Sequence, residues 1–258
     1  MTVDVFRTLH QQRLPDDPLV LPGPWDAVSA REFAAAGFPA LATPSAGIAA
    51  SLGYPDGATP VDEMFAAVAR IARAVDVPVS ADVEDGYGLA PRELVERLLA
   101  AGAVGCNLED SHAGVLTDPH AHADRLAEVR DAAGDRLFLN ARVDTFAYGD
   151  QDPEQAIQRA ALYVAAGADC VYPIEAPPAA LPLLRSAIQG PLNVLATLDG
   201  PSPTELGTLG ATRITFGPGL LRRTAEALRE IADGLIAGGP GVGAESVVVV
   251  ESGLRQRA

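Results

Sequence analysis

The sequence predicts an α/β protein built as a closed (β/α)8 barrel of the TIM type. Three observations point to it. Short β-branched, apolar runs alternate with longer amphipathic stretches about eight times, the repeat that a parallel barrel needs. Glycine recurs where several of the helices should stop. Acidic residues recur just past the expected strand ends, where a barrel of this type carries its chemistry.

In chain order, the expected strands are Leu19–Pro22, Ala40–Thr43, Val77–Asp82, Val104–Leu108, Leu137–Arg142, Cys170–Pro173, Asn193–Ala196 and Thr212–Phe216. The expected helices are Ser29–Ala36, Val61–Val75, Pro91–Ala101, Ala121–Ala132, Pro153–Ala166, Leu181–Ala187, Pro203–Leu209 and Leu221–Ile236. The stretches "AAAGFPAL", "LAAGAVGC", "VAAGADCV" and "GTLGATRI" each place a glycine between a helix and the next strand. Glycine there accepts the left-handed conformation that ends a helix. Pro91 and Pro153 suit first-turn positions, where a missing N–H costs nothing. Residues 1–237 thus form one catalytic barrel, and 238–258 a tail. Its "SVVVV" could add a strand or pack on a neighbouring subunit, and an exposed run of valines would invite association.

Composition narrows the function. The 258 residues are 48% hydrophobic with a net charge of −15, which argues against a nucleic-acid or anionic-membrane surface. No apolar run is long enough to span a bilayer, and the N-terminus lacks the build of a signal peptide, so a cytoplasmic protein is expected. Cys106 and Cys170 sit in or beside apolar runs without CxxC spacing and read as small buried hydrophobes. All 19 basic residues counted as Lys or Arg are arginine. Without lysine, imine-forming aldolase and pyridoxal chemistry are excluded.

The rim residues are Trp25 and Asp26; Thr43 to Gly47; Asp82, Glu84 and Asp85; Glu109, Asp110, Ser111 and His112; Arg142 and Asp144; Pro173 and Glu175; and Gly217. A solvated loop explains one acidic pair well, but acids at several strand ends poorly. Such carboxylates could share protons or hold a divalent cation. Oxygen donors without paired histidines or cysteines suit Mg²⁺, or Mn²⁺, rather than zinc. Arg142 is a cation on the same rim, able to grip a substrate carboxylate through two hydrogen bonds, or else to pair with Asp144 or Glu109.

"WDAVSAREFAAAGFPAL", "TPSAGIAASLGYPDG", "SADVEDGYG", "NLED" and "NARVDTF", in this order and spacing, resemble the isocitrate lyase/phosphoenolpyruvate mutase superfamily from about Leu21 to Gly219. The resemblance implies a (β/α)8 barrel with Mg²⁺ at its mouth, in a homo-oligomer (dimer or tetramer) whose paired subunits exchange the last helix. It implies Asp82, Glu84 and Glu109 as the metal group, with Asp82 the most direct ligand. It further implies roles for Asp56 in the loop after the second strand and for Arg142 on the substrate carboxylate. Ser45, Gly47 and Ile48 match the segment whose backbone N–H groups hold carboxylate oxygens, and Tyr87 could fix the metal loop or touch the substrate. The superfamily lyases carry a proton-donating cysteine in a loop soon after the fourth strand. Here "EDSHAGVLTDPHAHADRL" has neither cysteine nor lysine, and His112 is the residue in it placed to exchange protons, with His120 and His122 expected to face solvent. The expected activity is Mg²⁺-dependent cleavage of a C–C bond in a small 2-oxo or 2-hydroxy carboxylate. The alternatives are a C–P mutase or hydrolase acting on phosphoenolpyruvate or phosphonopyruvate, and a barrel that binds a carboxylate without turning it over.

Overall fold

Eight parallel strands close into the expected barrel. A computed structural model describes residues 2–11 and 13–237. The strands are β1 (Leu19–Val20), β2 (Leu41–Thr43), β3 (Val79–Asp82), β4 (Gly105–Leu108), β5 (Ser111–His112), β6 (Val115–Leu116), β7 (Phe138–Val143), β8 (Cys170–Pro173), β9 (Asn193–Leu195) and β10 (Arg213–Thr215). The helices are α1 (Val3–His10), α2 (Ala27–Ala35), α3 (Ser45–Leu52), α4 (Val61–Arg73), α5 (Pro91–Ala100), α6 (Pro119–Ala133), α7 (Pro153–Ala165), α8 (Leu181–Ala187), α9 (Pro203–Thr208) and α10 (Gly219–Ile236). Strands pair in the orders β2-β3-β4-β7-β8 and β1-β10-β9. The Ala42 N–H donates to Pro22 O at 3.2 Å on one side, and the Val171 N–H donates to Pro191 O at 3.1 Å on the other. These bonds join the two sheets, and among the described residues only the antiparallel β5–β6 hairpin stands outside the ring.

Each expected strand is present within a residue or two of its predicted bounds. Two helices were not foreseen. α1 lies ahead of the first strand, and α3 follows directly on β2. The chain divides into two compact units, Met1–Leu220 and Leu221–Ala258, the second being helical to Ile236 within its described residues. The tail from Gly238 lies outside the described residues.

The main core lies between strands and helices, with Leu41, Val68, Leu98, Leu139 and Ile214 all fully buried or nearly so. A second cluster of Phe6, Leu19, Leu21, Ala40, Phe138 and Cys170 gathers where the strands begin. Phe6 of α1 meets Phe138 edge-on at 5.2 Å, and the His10 ring stacks on Phe138 at 4.2 Å. α1 therefore seals the end of the barrel opposite the mouth. The middle of the barrel is polar: Asn140 donates to Asn107 Oδ1 at 2.7 Å, and Arg213, fully buried, reaches the same oxygen at 3.5 Å.

Burial first, and the nearby Arg213 charge second, lower His10 to about 3, against the raising influence of its hydrogen bond to Phe6 O. Its unfolded value is near 6.5, so the unfolded chain binds the extra proton between those limits. The stability this neutral histidine provides is complete above pH 6.5 and is lost on acidification. At pH 5 the loss is about 2 kcal/mol. Urea denaturation at pH 7.5 and pH 5 should therefore show a smaller acid penalty for His10→Phe than for wild type; equal penalties would contradict this.

Candidate functional site

β3 delivers Asp82 to the mouth, and the next loop bends sharply. Glu84, Gly86, Tyr87 and Gly88 have φ of 52°, 89°, 57° and 66°. Glu84 and Tyr87 pay a steric cost there that glycine does not, and strain of this kind gathers at functional loops. The loop is held by Gly86 N–H to Val83 O (2.8 Å), Tyr87 N–H to Asp85 Oδ1 (2.8 Å) and Glu109 N–H to Glu84 O (2.8 Å). A side chain on Gly86 would meet Arg125 Nη2 at 2.7 Å, so the glycine serves both the turn and the close approach. Arg125 in turn donates to Leu89 O at 3.0 Å.

Asp82 is 8% exposed and accepts from Ser45 Oγ at 3.0 Å. Burial raises its affinity for a proton, against the opposing pull of Arg142 and Ser45. Glu84 is pushed up to about 7, first by burial and then by the charges of Asp82, Asp56 and Asp85. Glu109 is raised too, by burial and then Asp82, with Arg142 pulling the other way. Carboxylates from the ends of β3 and β4 therefore do converge, and each makes the next harder to ionise.

Arg142, at the end of β7, resolves the choice left open by the sequence in favour of both carboxylates. Its Nε donates to Asp144 Oδ1 at 2.6 Å and its Nη2 to Asp144 Oδ2 at 3.2 Å, while Nη1 pairs with Glu109. Burial opposes its charge, but Glu109, Asp144 and Asp82 more than restore it. Three of the five guanidinium N–H groups are thereby engaged, and two are left for a ligand.

Ser45, Gly47 and Ile48 lie buried in the first turn of α3, not in an extended segment. The Ile48 N–H is spent within the helix on Pro44 O at 3.0 Å. Of the earlier amides of that turn, that of Ser45 points to Asp82 Oδ2 at 3.5 Å, and those of Ala46 and Gly47, without an intrahelical acceptor, form the usable donors. Asp56 is exposed on the loop between α3 and α4. Tyr87 packs edge-on against Phe65 at 6.3 Å and turns its hydroxyl to Glu84 Oε1 at 3.5 Å.

His112 is exposed on the hairpin, with Nδ1 at 2.5 Å from Asp85 Oδ2. His120 faces solvent as expected, but His122 does not: it is 3% exposed, edge-on to Tyr163 at 4.9 Å, and lowered to about 4 chiefly by burial. The reason is register. α6 begins at Pro119, two residues earlier than expected, because Asp118 caps it by accepting from the His120 and Ala121 N–H groups at 3.0 Å each. That start turns His122 inward beside Leu126 and Val129. A cavity of about 260 Å³ opens here, lined in part by Asp85, Glu109, Thr117, His122 and Arg125.

Several residues matter that the sequence placed on the rim without a role, or did not mark. Asp110 is fully buried, and its Oδ2 accepts from Tyr163 Oη at 2.7 Å and Arg159 Nη1 at 2.9 Å. Ser111 Oγ donates to Asp144 Oδ2 at 2.5 Å. The sequence offers Asp144 as one possible partner of Arg142, and the structure adds its hydrogen bond to Ser111. Arg159 and Tyr163 carry no comparable signal.

The donor set fits a hard divalent ion, being wholly oxygen and burdened by mutual repulsion. Among the described residues, no three carboxylate, histidine or cysteine side chains are gathered closely enough to enclose an ion. Mg²⁺ does not demand that, because it is commonly held by one or two carboxylates with water and substrate completing the shell.

Residues 6–236 match the family described as phosphoenolpyruvate phosphomutase. An uncharacterized protein of Mycobacterium tuberculosis is 36% identical over 235 residues, covering 89% of each chain. A solved structure from Burkholderia cenocepacia, provisionally named a phosphonomutase, superposes with a TM-score of 0.84 at 38% identity, covering 90% of this chain and 99% of that one. The structure of 2,3-dimethylmalate lyase, described as a PEP mutase/isocitrate lyase superfamily member, superposes with a TM-score of 0.82 at 27% identity, covering 95% and 89%.

Proposed function

From the premise that this chain belongs to the phosphoenolpyruvate mutase/isocitrate lyase superfamily, an enzymatic superfamily of lyases and mutases, we propose that it is a Mg²⁺-dependent lyase cleaving a C–C bond in a small 2-oxo or 2-hydroxy carboxylate. The observation that carries the reading is a single constellation at the barrel mouth: Arg142 held between Asp144 and Glu109 and close to the Asp82 carboxylate, with Glu84 beside Asp82.

Asp82 and Glu84 would hold the ion, with Glu109 completing the group when it parts from Arg142. The ion, when bound, stabilises negative charge developing on a substrate oxygen. The chain's own groups do the rest. Ser45 fixes Asp82 by donating from its hydroxyl. The two uncommitted N–H groups of Arg142 grip a carboxylate, and the amides of Ala46 and Gly47 in the first α3 turn receive its other oxygens. Cys106 and Cys170 are buried, and burial pushes both thiols up to about 12, far from the range suited to proton exchange with a substrate near neutral pH. His112, held by Asp85 on an exposed hairpin, is the group placed to exchange a proton.

The likeness to a provisional phosphonomutase favours C–P chemistry as the second reading. Incubation with a panel of 2-oxo and 2-hydroxy acids separates the two. Under the first reading a branched or unbranched C4–C6 acid is split and phosphonopyruvate is unchanged by phosphorus NMR. A changed phosphorus signal with no acid cleaved would overturn it. We extend the proposal to assembly as a dimer or tetramer exchanging the last helix, in the cytoplasm, on the strength of the family likeness; no described helix is long and apolar enough to cross a membrane.

The metal reading has a second consequence. Because folding raises the Glu84 pKa from 4.5 to about 7, the folded chain holds its proton more tightly than the unfolded one. Stability from this group is therefore undiminished below pH 4.5 and falls as pH rises through 7. An ion beside it removes that loss. The rise in Tm on adding Mg²⁺ to chelator-treated protein should be small at pH 5 and larger at pH 8; a rise independent of pH would contradict the assignment.

A further inference from the structure

We infer that Asp144 is the positioning residue for Arg142 and that, through Ser111, it ties the guanidinium to the seating of the β5–β6 hairpin. The inference deepens the proposed function and rests on that reading of Arg142. Asp144 is fully buried and takes Nε and Nη2 of Arg142 on its two oxygens, a forked grip that fixes the guanidinium plane as well as its charge. Arginine otherwise has much rotamer freedom to lose on binding, so a guanidinium already fixed binds a carboxylate more tightly. Asp144 also keeps one partner on Arg142 whenever Glu109 departs.

Oδ2 of Asp144 has a second donor, Ser111 Oγ at 2.5 Å, and Ser111 begins the hairpin. The Asp144 N–H donates to Asp110 Oδ1 at 2.8 Å, and the Thr117 N–H donates to Asp110 O at 2.8 Å, closing the hairpin base. Arg159 Nη1 clamps the same base by donating to Thr117 O and Asp110 Oδ2, both at 2.9 Å. Beyond this base the hairpin is exposed at Ala113, Gly114 and Val115. One hydroxyl thus links an exposed hairpin to the carboxylate that aims Arg142. A hairpin lifted off its seat withdraws that hydroxyl and loosens the aim.

The test uses oxalate as probe, with Mg²⁺ in excess, and compares wild type with Asp144→Asn, Ser111→Ala and Ser111→Thr. Calorimetry should show oxalate weakened on the order of 10- to 100-fold in Asp144→Asn and several-fold in Ser111→Ala, with Ser111→Thr restored because it keeps the hydroxyl. Mg²⁺ affinity without oxalate should be unchanged in all three. Amide exchange over residues 111–117 should quicken in Asp144→Asn and Ser111→Ala but not in Ser111→Thr. Wild-type oxalate affinity in Asp144→Asn, or unaltered hairpin exchange in Ser111→Ala, would overturn the inference. Failure of the wild type itself to bind oxalate would instead overturn the functional reading, with the exchange comparison still deciding whether Ser111 and Asp144 are coupled.

Discussion

Asp82→Asn should abolish Mg²⁺-dependent turnover, lowering kcat by at least about 10³-fold, the scale expected when a group stabilising developing charge is lost. The amide is nearly the same shape as the carboxylate and can still accept from Ser45 Oγ, so the surroundings need not rearrange. It also removes a charge that burial already disfavours in the folded state. The metal-free variant should therefore be no less stable than metal-free wild type, while the Mg²⁺-induced rise in Tm disappears. Loss of activity with the metal response intact would move the ion away from Asp82. Retained activity would remove the ion from the mechanism.

The second large effect is on Arg142. Arg142→Met should destabilise the fold by about 3–5 kcal/mol, the cost of breaking a buried ion pair by removing one partner. Asp144 is fully buried and the Glu109 side chain only 13% exposed, so neither can recover its lost partner in water. Oxalate binding should be lost with it. The pH dependence has a definite sign. Burial and Asp82 already push Glu109 up to about 9, and without the guanidinium it goes higher still, so this group should add to the variant's deficit as pH rises through about 9. Adding Asp144→Asn to Arg142→Met should recover part of the stability, because the second change removes the charge stranded by the first. Purely additive losses in denaturant would show that the pair is not the source.

The contrast between what the sequence discloses and what it hides has physical causes. The eight barrel strands are legible because they are short apolar runs set off by proline, glycine or a carboxylate, as in Gly105–Leu108 ahead of Glu109 and Cys170–Pro173 ahead of Glu175. α3 is hidden because "SAGIAASL" is small and apolar all round, leaving no polar face to mark a helical period. The β5–β6 hairpin is hidden because its strands are two residues long. Asp82, Glu84, Glu109 and Arg142 announce themselves by charge at strand ends. The partners that hold them in place do not: Asp110 finds Arg159 49 residues away and Tyr163 53 residues away, distances over which no local pattern reports. His122 sits on a helix whose cap, Asp118, lies three residues outside the predicted helix.

The central claim is that acids from separate strands gather at the mouth to hold one divalent ion, with Arg142 beside it to take an organic acid. Crystals grown with Mn²⁺ and oxalate test it most directly, since anomalous scattering from manganese locates the ion without assumption. The account predicts a single strong peak at the barrel mouth bonded to Asp82, with oxalate bridging that ion and Arg142. An empty mouth at saturating Mn²⁺ and oxalate, or an ion bound with Asp82 outside its reach, would contradict it.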